Sequence, residues 1–419
     1  MRIKPANKIR GTVVVPGDKS ITHRAFLFSA MSTEKCVIHD PLICDDTLRT
    51  LHLIEAVGAK IDEENEKITI TPPDKFIEPS SPIYCGNSGT TARIGMGLLA
   101  VQNIFSILLG DKSLSKRPMK RVAKPLRMLG AKIDGRGNAS NLPFSIRGGN
   151  LKGTLYESEL SSAQVKSSFI FAALGANGDS TYIEKVKSRD HTERFLSQFG
   201  IVEINANGVK IHPSRLPPFT QKIVGDFSSA SFFLTLGAIH PNAHLRLERV
   251  GVNPTRTGFL NVLKRMNANL KVENFVDDVE PQADIVVESS NLTATQVSPF
   301  EIPALIDEIP LIALLGVFAR GETIVKGASE LRKKESDRIK ATVNVLRKMG
   351  ADIEEMNDGF SVRGPSKLKW AKVNPFSDHR IAMLASVAGA CSEGVDIENS
   401  KCVWVSYPSF YSDLKKVMK

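Results

Sequence analysis

Nowhere in its 419 residues does the chain approach the ~18 uninterrupted apolar residues that a membrane-spanning helix requires. No membrane partner is therefore expected. The first residues, Met1-Arg2-Ile3-Lys4-Pro5, run straight into a strand-like stretch at Gly11–Val15 without the apolar core of a signal peptide. The five cysteines (Cys36, Cys44, Cys85, Cys391, Cys402) are odd in number and form no CxxC pair. That excludes a disulfide framework and a zinc ribbon, and it predicts reduced thiols in a cytoplasmic protein with no metal. Aromatic residues are only 6% of the chain, and the surplus of 55 Lys and Arg over 45 Asp and Glu is dispersed rather than gathered in a tail. A nucleic-acid groove interleaves basic and aromatic residues, so no nucleic-acid partner is expected. A cleft for small, multiply charged anions remains as the reading of the net charge of +10.

What the chain does contain is a repeat. A helix ending in an apolar residue plus Gly or Asn, then a β-hairpin, recurs at Leu51–Ile61, Leu126–Ile133, Phe195–Val202, Leu263–Leu270 and Leu346–Ile353. The punctuating residues are Gly58, Gly130, Gly200, Asn267 and Gly350. Gly and Asn tolerate the left-handed backbone that ends a helix, which is why these two types share the position. Five copies about seventy residues apart imply a repeat architecture. A sixth, incomplete copy is expected from the N-terminal strand Thr12–Val15 together with the C-terminal segment. The pattern predicts an α/β protein of six βαβαββ units, three per domain. Joints near Gly17 and Gly225-Asp226 give one domain at residues 18–225 and a discontinuous one at 1–17 plus 226–419.

Several short motifs carry charge suited to anions. Pro16-Gly17-Asp18-Lys19-Ser20 resembles a phosphate loop, but Asp18 between the glycine and the lysine breaks the nucleotide-binding pattern. Ser20 and Arg24, four apart, share a helix face, and Lys19 sits where backbone amides and the helix dipole favour negative charge. Gly86-Asn87-Ser88-Gly89-Thr90-Thr91-Ala92-Arg93 opens an apolar helix, and Ser115–Arg121 is a basic cluster. Asp307 and Glu308 lie in an apolar setting, where carboxylates are paired or functional. Lys334 and Arg338 are expected on one helical face with Glu335 alongside, and Ser377-Asp378-His379-Arg380 opens another apolar helix.

In this order, and over nearly the whole chain, these motifs resemble the 5-enolpyruvylshikimate-3-phosphate synthases (EPSP synthases). Gly17-Asp18-Lys19, Ser162-Ala163-Gln164-Val165-Lys166, Arg189-Asp190-His191-Thr192-Glu193 and Asn253-Pro254-Thr255-Arg256 are similar to the type II branch. The resemblance implies a two-domain inverse α/β barrel that closes on its substrates, shikimate 3-phosphate and phosphoenolpyruvate, acting as a monomer without cofactor. It implies Lys19, Ser20 and Arg24 at shikimate 3-phosphate, the last two near its carboxylate, with Ser162, Gln164, Ser188 and Arg189 at its phosphate. Phosphoenolpyruvate would meet Gly89, Arg117, Lys19 and Gln164 through its phosphate, and Arg338 and Arg380 through its carboxylate, as bidentate forks. Asp307 and Lys334 would address the 5-hydroxyl and its neighbour, with Asp307 as base. Glu335, assisted by Lys19, would serve proton transfer at C3.

Two positions depart from the family pattern. Val405 stands where many members carry a lysine, and Ala163 stands where type I enzymes carry serine. Transfer to UDP-N-acetylglucosamine is the nearest rival. Its family uses Lys-Asn where this chain has Lys19-Ser20, and a loop cysteine absent from Gly110–Arg121. A non-catalytic, polyanion-binding repeat protein is the rival from another class. The carboxylates Asp307, Glu308 and Glu335 among the cations argue against it.

Overall fold

The computed structural model of the chain describes residues 1–206 and 208–419. The chain forms two compact units, Gly17–Ile223 and Met1–Pro16 with Val224–Lys419. The second joint lies two residues ahead of the expected one. Gly225 N–H donates to Arg249 O and Asp226 N–H to Pro16 O, so Gly225 and Asp226 belong to the discontinuous unit.

In the unit Gly17–Ile223, three four-stranded sheets repeat one plan: a parallel pair extended by an antiparallel hairpin. Ile83–Tyr84 runs parallel to Phe105–Leu109, which pairs with Phe144–Arg147 and through it with Lys132–Gly135. Leu155–Ser158, Ser180–Glu184, Gly208–Ile211 and Val202–Asn205 repeat that order. The remaining sheet takes its parallel strand, Thr220–Lys222, from the far end of the unit and sets it beside Cys36–His39. Helices Lys19–Ala30, Gly89–Ala100 and Ala163–Ala173 are buried over most of their surface. The second and third pack so closely that a Cβ on Gly97 would stand 2.1 Å from Ser168 O.

The other unit follows the same plan. Ile9–Val14, Ala243–Gly251, Gln282–Glu288 and Asn269–Val276 form one sheet; Gln296–Val297, Gly321–Val325, Gly359–Gly364 and Asp352–Met356 form another. Along Gln282–Glu288 alternate residues face inward, and Ala283, Ile285 and Val287 join the core. At its centre lie helices Phe227–Ile239, Ile309–Phe318 and His379–Ala390, apolar nearly all round and therefore buried nearly all round.

The punctuating residues behave as their chemistry requires. Gly58, Gly130, Gly200, Asn267 and Gly350 have φ of 105°, 114°, 66°, 63° and 98°, each just beyond a helix. The sixth sheet is the incomplete, three-stranded one, but a different N-terminal strand supplies it. Thr12–Val14 belongs to the strand Ile9–Val14, beside Ala243–Gly251. The residues that complete the three-stranded sheet with Ala371–Val373 and Val395–Ile397 are Arg2–Ile3.

Candidate active site

Each unit gathers the N-termini of its buried helices, and the charged motifs lie at those ends. In Gly17–Ile223, Asp18 caps the first helix by accepting from Ile21 N, which explains the residue that broke the phosphate-loop pattern. Lys19, the first helical residue, pairs with Asp46 at 2.7 Å in the first turn of helix Asp45–Ala56. Asp46 O accepts from Thr91 Oγ1, one turn into the Gly89–Ala100 helix. Thr90 Oγ1 in turn accepts from Gln164 Nε2 at 2.9 Å, in the first turn of Ala163–Ala173. Helix N-termini brought together in this way favour anions through their amide groups and dipoles.

Cations line the same ends. Arg93 Nη1 donates to Gln164 Oε1 at 2.7 Å. Buried Arg117 is held by Asn87 and Ser113, and a Cβ on Gly89 would lie 3.3 Å from its Nη1. Ser162 is the N-cap of Ala163–Ala173 and makes no side-chain capping hydrogen bond to that helix.

The other unit concentrates opposite charges. Arg338 is 2% exposed and meets Asp378 at 2.8 Å, Asp307 at 3.3 Å and Glu335. Burial works against its charge, but Asp378, Glu335 and Asp307 outweigh it and raise the pKa further above the ordinary arginine value. Burial also opposes the Asp378 carboxylate, which Arg338 nevertheless holds below the ordinary range. Asp307 receives Lys334 Nζ at 3.3 Å on the oxygen that faces Arg338, and its backbone oxygen accepts from Arg380 Nη1 at 3.2 Å. Next to it, fully buried Glu308 is gripped by Arg256 Nη1 at 3.0 Å on both oxygens and by Ser228. Among the described residues no cluster of His, Cys, Asp and Glu could hold a metal ion.

A sequence model described as EPSP synthase (3-phosphoshikimate 1-carboxyvinyltransferase) matches residues 3–414. The chain belongs to the EPSP synthase family. It is 48% identical to a 3-phosphoshikimate 1-carboxyvinyltransferase of Thermotoga neapolitana, with all of both chains aligned. An Aquifex aeolicus protein of the same name is 46% identical over all of this chain and 99% of its own. The structure resembles EPSP synthase from Acinetobacter baumannii, with a TM-score of 0.88 and 38% identity, covering 100% of this chain and 98% of that one. The enolpyruvyl transferase NikO of Streptomyces tendae shares the fold, with a TM-score of 0.78 and 15% identity over 99% of this chain and 96% of that one.

For this EPSP synthase family member, the structure revises four local expectations. Lys334 and Arg338 do not share a helix: Asp337 caps a helix that begins at Arg338, and Lys334 is extended, so the two converge on Asp307 from different segments. Arg338 presents no open fork, because its nitrogens already face three carboxylates. Arg24 is buried, with its three nitrogens donating to Thr192, Ser20 O and Ser167, which suits a residue that orients Ser20 more than an open clamp. Ser188 gives both its N–H and its O–H to Glu184. Arg93 closes the Gly86–Arg93 motif without a role in the sequence reading, although four residues after Gly89 in a helix place the two on one face. Asp46 gives no such signal, and Glu308 and Arg256, though each stands in a motif the sequence singles out, do not reveal their pairing, since the partners lie 27 and 52 residues apart.

Proposed function

We propose that this chain transfers the enolpyruvyl group of phosphoenolpyruvate to the 5-hydroxyl of shikimate 3-phosphate, releasing phosphate through a tetrahedral intermediate, in chorismate and aromatic amino-acid biosynthesis. Full-length identity of 48% to a 3-phosphoshikimate 1-carboxyvinyltransferase is the observation that carries this reading. The chemistry of the two charged clusters supports it. Two substrates bring two phosphates and two carboxylates, whose repulsion must be offset by cations and helix N-termini.

In this reading Ser162, Gln164 and Arg189 hold the shikimate phosphate, and Ser20, backed by Arg24, faces the shikimate carboxylate. Lys19, Gly89, Arg117 and Gln164 take the phosphate of phosphoenolpyruvate, with Arg93 positioning Gln164. Arg380 meets the carboxylate of phosphoenolpyruvate, and Arg338 joins it by exchanging Asp307 or Glu335 for the substrate carboxylate. That exchange has a chemical use: it releases carboxylates for proton transfer at the moment substrate arrives. Asp307 then removes the 5-hydroxyl proton as oxygen attacks C2, and Lys334 steadies that hydroxyl. Glu335, having taken a proton from solvent on losing Arg338, delivers it to C3 and takes one back from C3 as phosphate leaves, with Lys19 easing charge on the departing group. The protein acts as a monomer in the cytoplasm, and its five free cysteines support a reducing compartment.

The test is phosphate release from phosphoenolpyruvate by the purified protein, alone, with shikimate 3-phosphate, or with UDP-N-acetylglucosamine. Release that needs shikimate 3-phosphate is expected. In Asp307→Ala it should fall by about 10²–10⁴, the range for a lost general base. Release only with UDP-N-acetylglucosamine would overturn the substrate assignment.

A further inference from the structure

One buried charge cluster in Gly17–Ile223 has no part in the chemistry above. Lys166 is 3% exposed and its ammonium lies 2.5 Å from Glu184 Oε1 and 2.6 Å from Glu193 Oε1. The three residues sit on three elements: Lys166 in the first turn of helix Ala163–Ala173, Glu184 at the end of strand Ser180–Glu184, and Glu193 in the first turn of helix His191–Ser197. Those elements border the loop 185–190. The loop is tied to the same cluster, since Ser188 N–H donates to Glu184 Oε1 at 3.0 Å and its O–H to Oε2 at 2.7 Å. Ser188 O accepts from Lys166 Nζ at 3.3 Å.

A need for this anchorage is visible in the loop's composition. It carries Lys185, Lys187 and Arg189, three cations within five residues, and Lys185 and Lys187 are exposed. Like charges this close repel, Asp190 is the loop's own carboxylate and is turned to Arg194, and fixing the segment costs backbone entropy. Glu184 and Glu193 supply negative charge beneath it, and Lys166 makes their burial tolerable. Burial opposes the Lys166 charge, but Glu193 and Glu184 together keep its pKa above the ordinary amine value. Burial pushes the Glu193 carboxyl up, with Lys166 offsetting only part of the effect.

We infer that Glu184, backed by Lys166 and Glu193, is a positioning residue that pre-orders the 185–190 loop so that Arg189 meets the shikimate phosphate without first having to be fixed. In this arrangement Ser188 is a tether. Its hydroxyl proton is committed to Glu184, and phosphate affinity comes from the loop being held rather than from that hydroxyl. The inference rests on the proposed binding of shikimate 3-phosphate at this loop.

Direct calorimetric titration of shikimate 3-phosphate into the full chain, without phosphoenolpyruvate, tests it. In Glu184→Ala the Kd should rise at least tenfold. Glu184→Gln should stay within about threefold of the parent, because the amide oxygen still accepts from Lys166 and Ser188 N–H while the amide nitrogen reaches Ser188 Oγ. A merely structural role would not be rescued in binding by that variant. If Glu184→Ala does not fold, Glu184→Asp keeps the charge beside Lys166 but is too short to hold Ser188, and it should weaken binding at least fivefold. Unchanged affinity in Glu184→Ala, or in Glu184→Asp where Glu184→Ala does not fold, would overturn the inference, and so would a loss in Glu184→Gln equal to that in the truncated variant. If the parent itself fails to bind shikimate 3-phosphate, the functional reading beneath it falls instead.

Discussion

Replacing Arg256 by leucine isolates what a buried charge pair does for the segment that carries Asp307. Arg256 is 4% exposed at its side chain and Glu308 is 0%, and they are joined at 3.0 Å through both carboxylate oxygens. Removing one member of such a pair leaves the other buried and uncompensated, a loss of about 3–5 kcal/mol. Arg380 Nη1 stands 3.8 Å from Glu308 and supplies part of the lost attraction, so the lower end of that range applies. For a folding unit of 150–250 residues each kcal/mol moves Tm by about 2–4 °C, so about 3 kcal/mol corresponds to a drop of about 6–12 °C. Differential scanning calorimetry reads it, with the exposed pair of Arg2 and Asp396 as control: Arg2→Leu should leave Tm unmoved within error. The double variant Arg256→Leu/Glu308→Leu should recover most of the loss, since apolar residues replace a complete buried pair at little cost. A shift below about 2 °C for Arg256→Leu, or a double variant worse than the single, would refute the reasoning.

Three other outcomes follow from the same geometry. Gly97→Ala puts a methyl group 2.1 Å from a backbone oxygen of the neighbouring helix, so the urea midpoint should fall by an amount worth at least about 2 kcal/mol. His23 is fully buried, and burial, with Lys19 and Arg24, holds its pKa well below the usual 6.5. The unfolded chain therefore binds the proton that the folded chain refuses. Stability should fall as pH drops below about 6.5, by about 1.4 kcal/mol per pH unit, and His23→Gln should flatten that slope. Asp378 is the opposite case: a carboxyl depressed from 3.8 by Arg338 stabilises above its unfolded pKa and loses that contribution as pH falls through the lower folded value. Asp378→Asn should therefore lower Tm at neutral pH and weaken the acid dependence at the lowest pH.

The repeat was legible because its punctuation is backbone chemistry. Only residues at ease at positive φ stand at 58, 130, 200, 267 and 350, and the five share that conformation. The same logic made the helix starts at Lys19, Gly89 and His379 readable, since small or capping residues precede apolar runs there. Pairing over long separations was not legible. Nothing in Arg2–Ile3 says that it joins Val395–Ile397, because a two-residue strand has no periodicity and its partner lies at the other end of the chain. The site residues divide in the same way. Lys19, Asp307 and Arg380 stand out as charges beside glycines or apolar runs, and Arg117 as one of a basic cluster. Their environment does not: that Arg338 is enclosed by Asp307, Glu335 and Asp378 depends on three segments meeting. The 334–338 stretch was misread as helical because Ser336 and Asp337, which bond Asp378 and cap the following helix, were not recognised as a start signal.

The most direct test of the central claim is to follow phosphoenolpyruvate labelled with ¹³C at C2 by NMR, with shikimate 3-phosphate and the purified protein. The account predicts an enol-ether carbon attached to the shikimate oxygen, appearing in step with one equivalent of inorganic phosphate. Phosphate with pyruvate and no enol ether, or no conversion while shikimate 3-phosphate still binds, would contradict it.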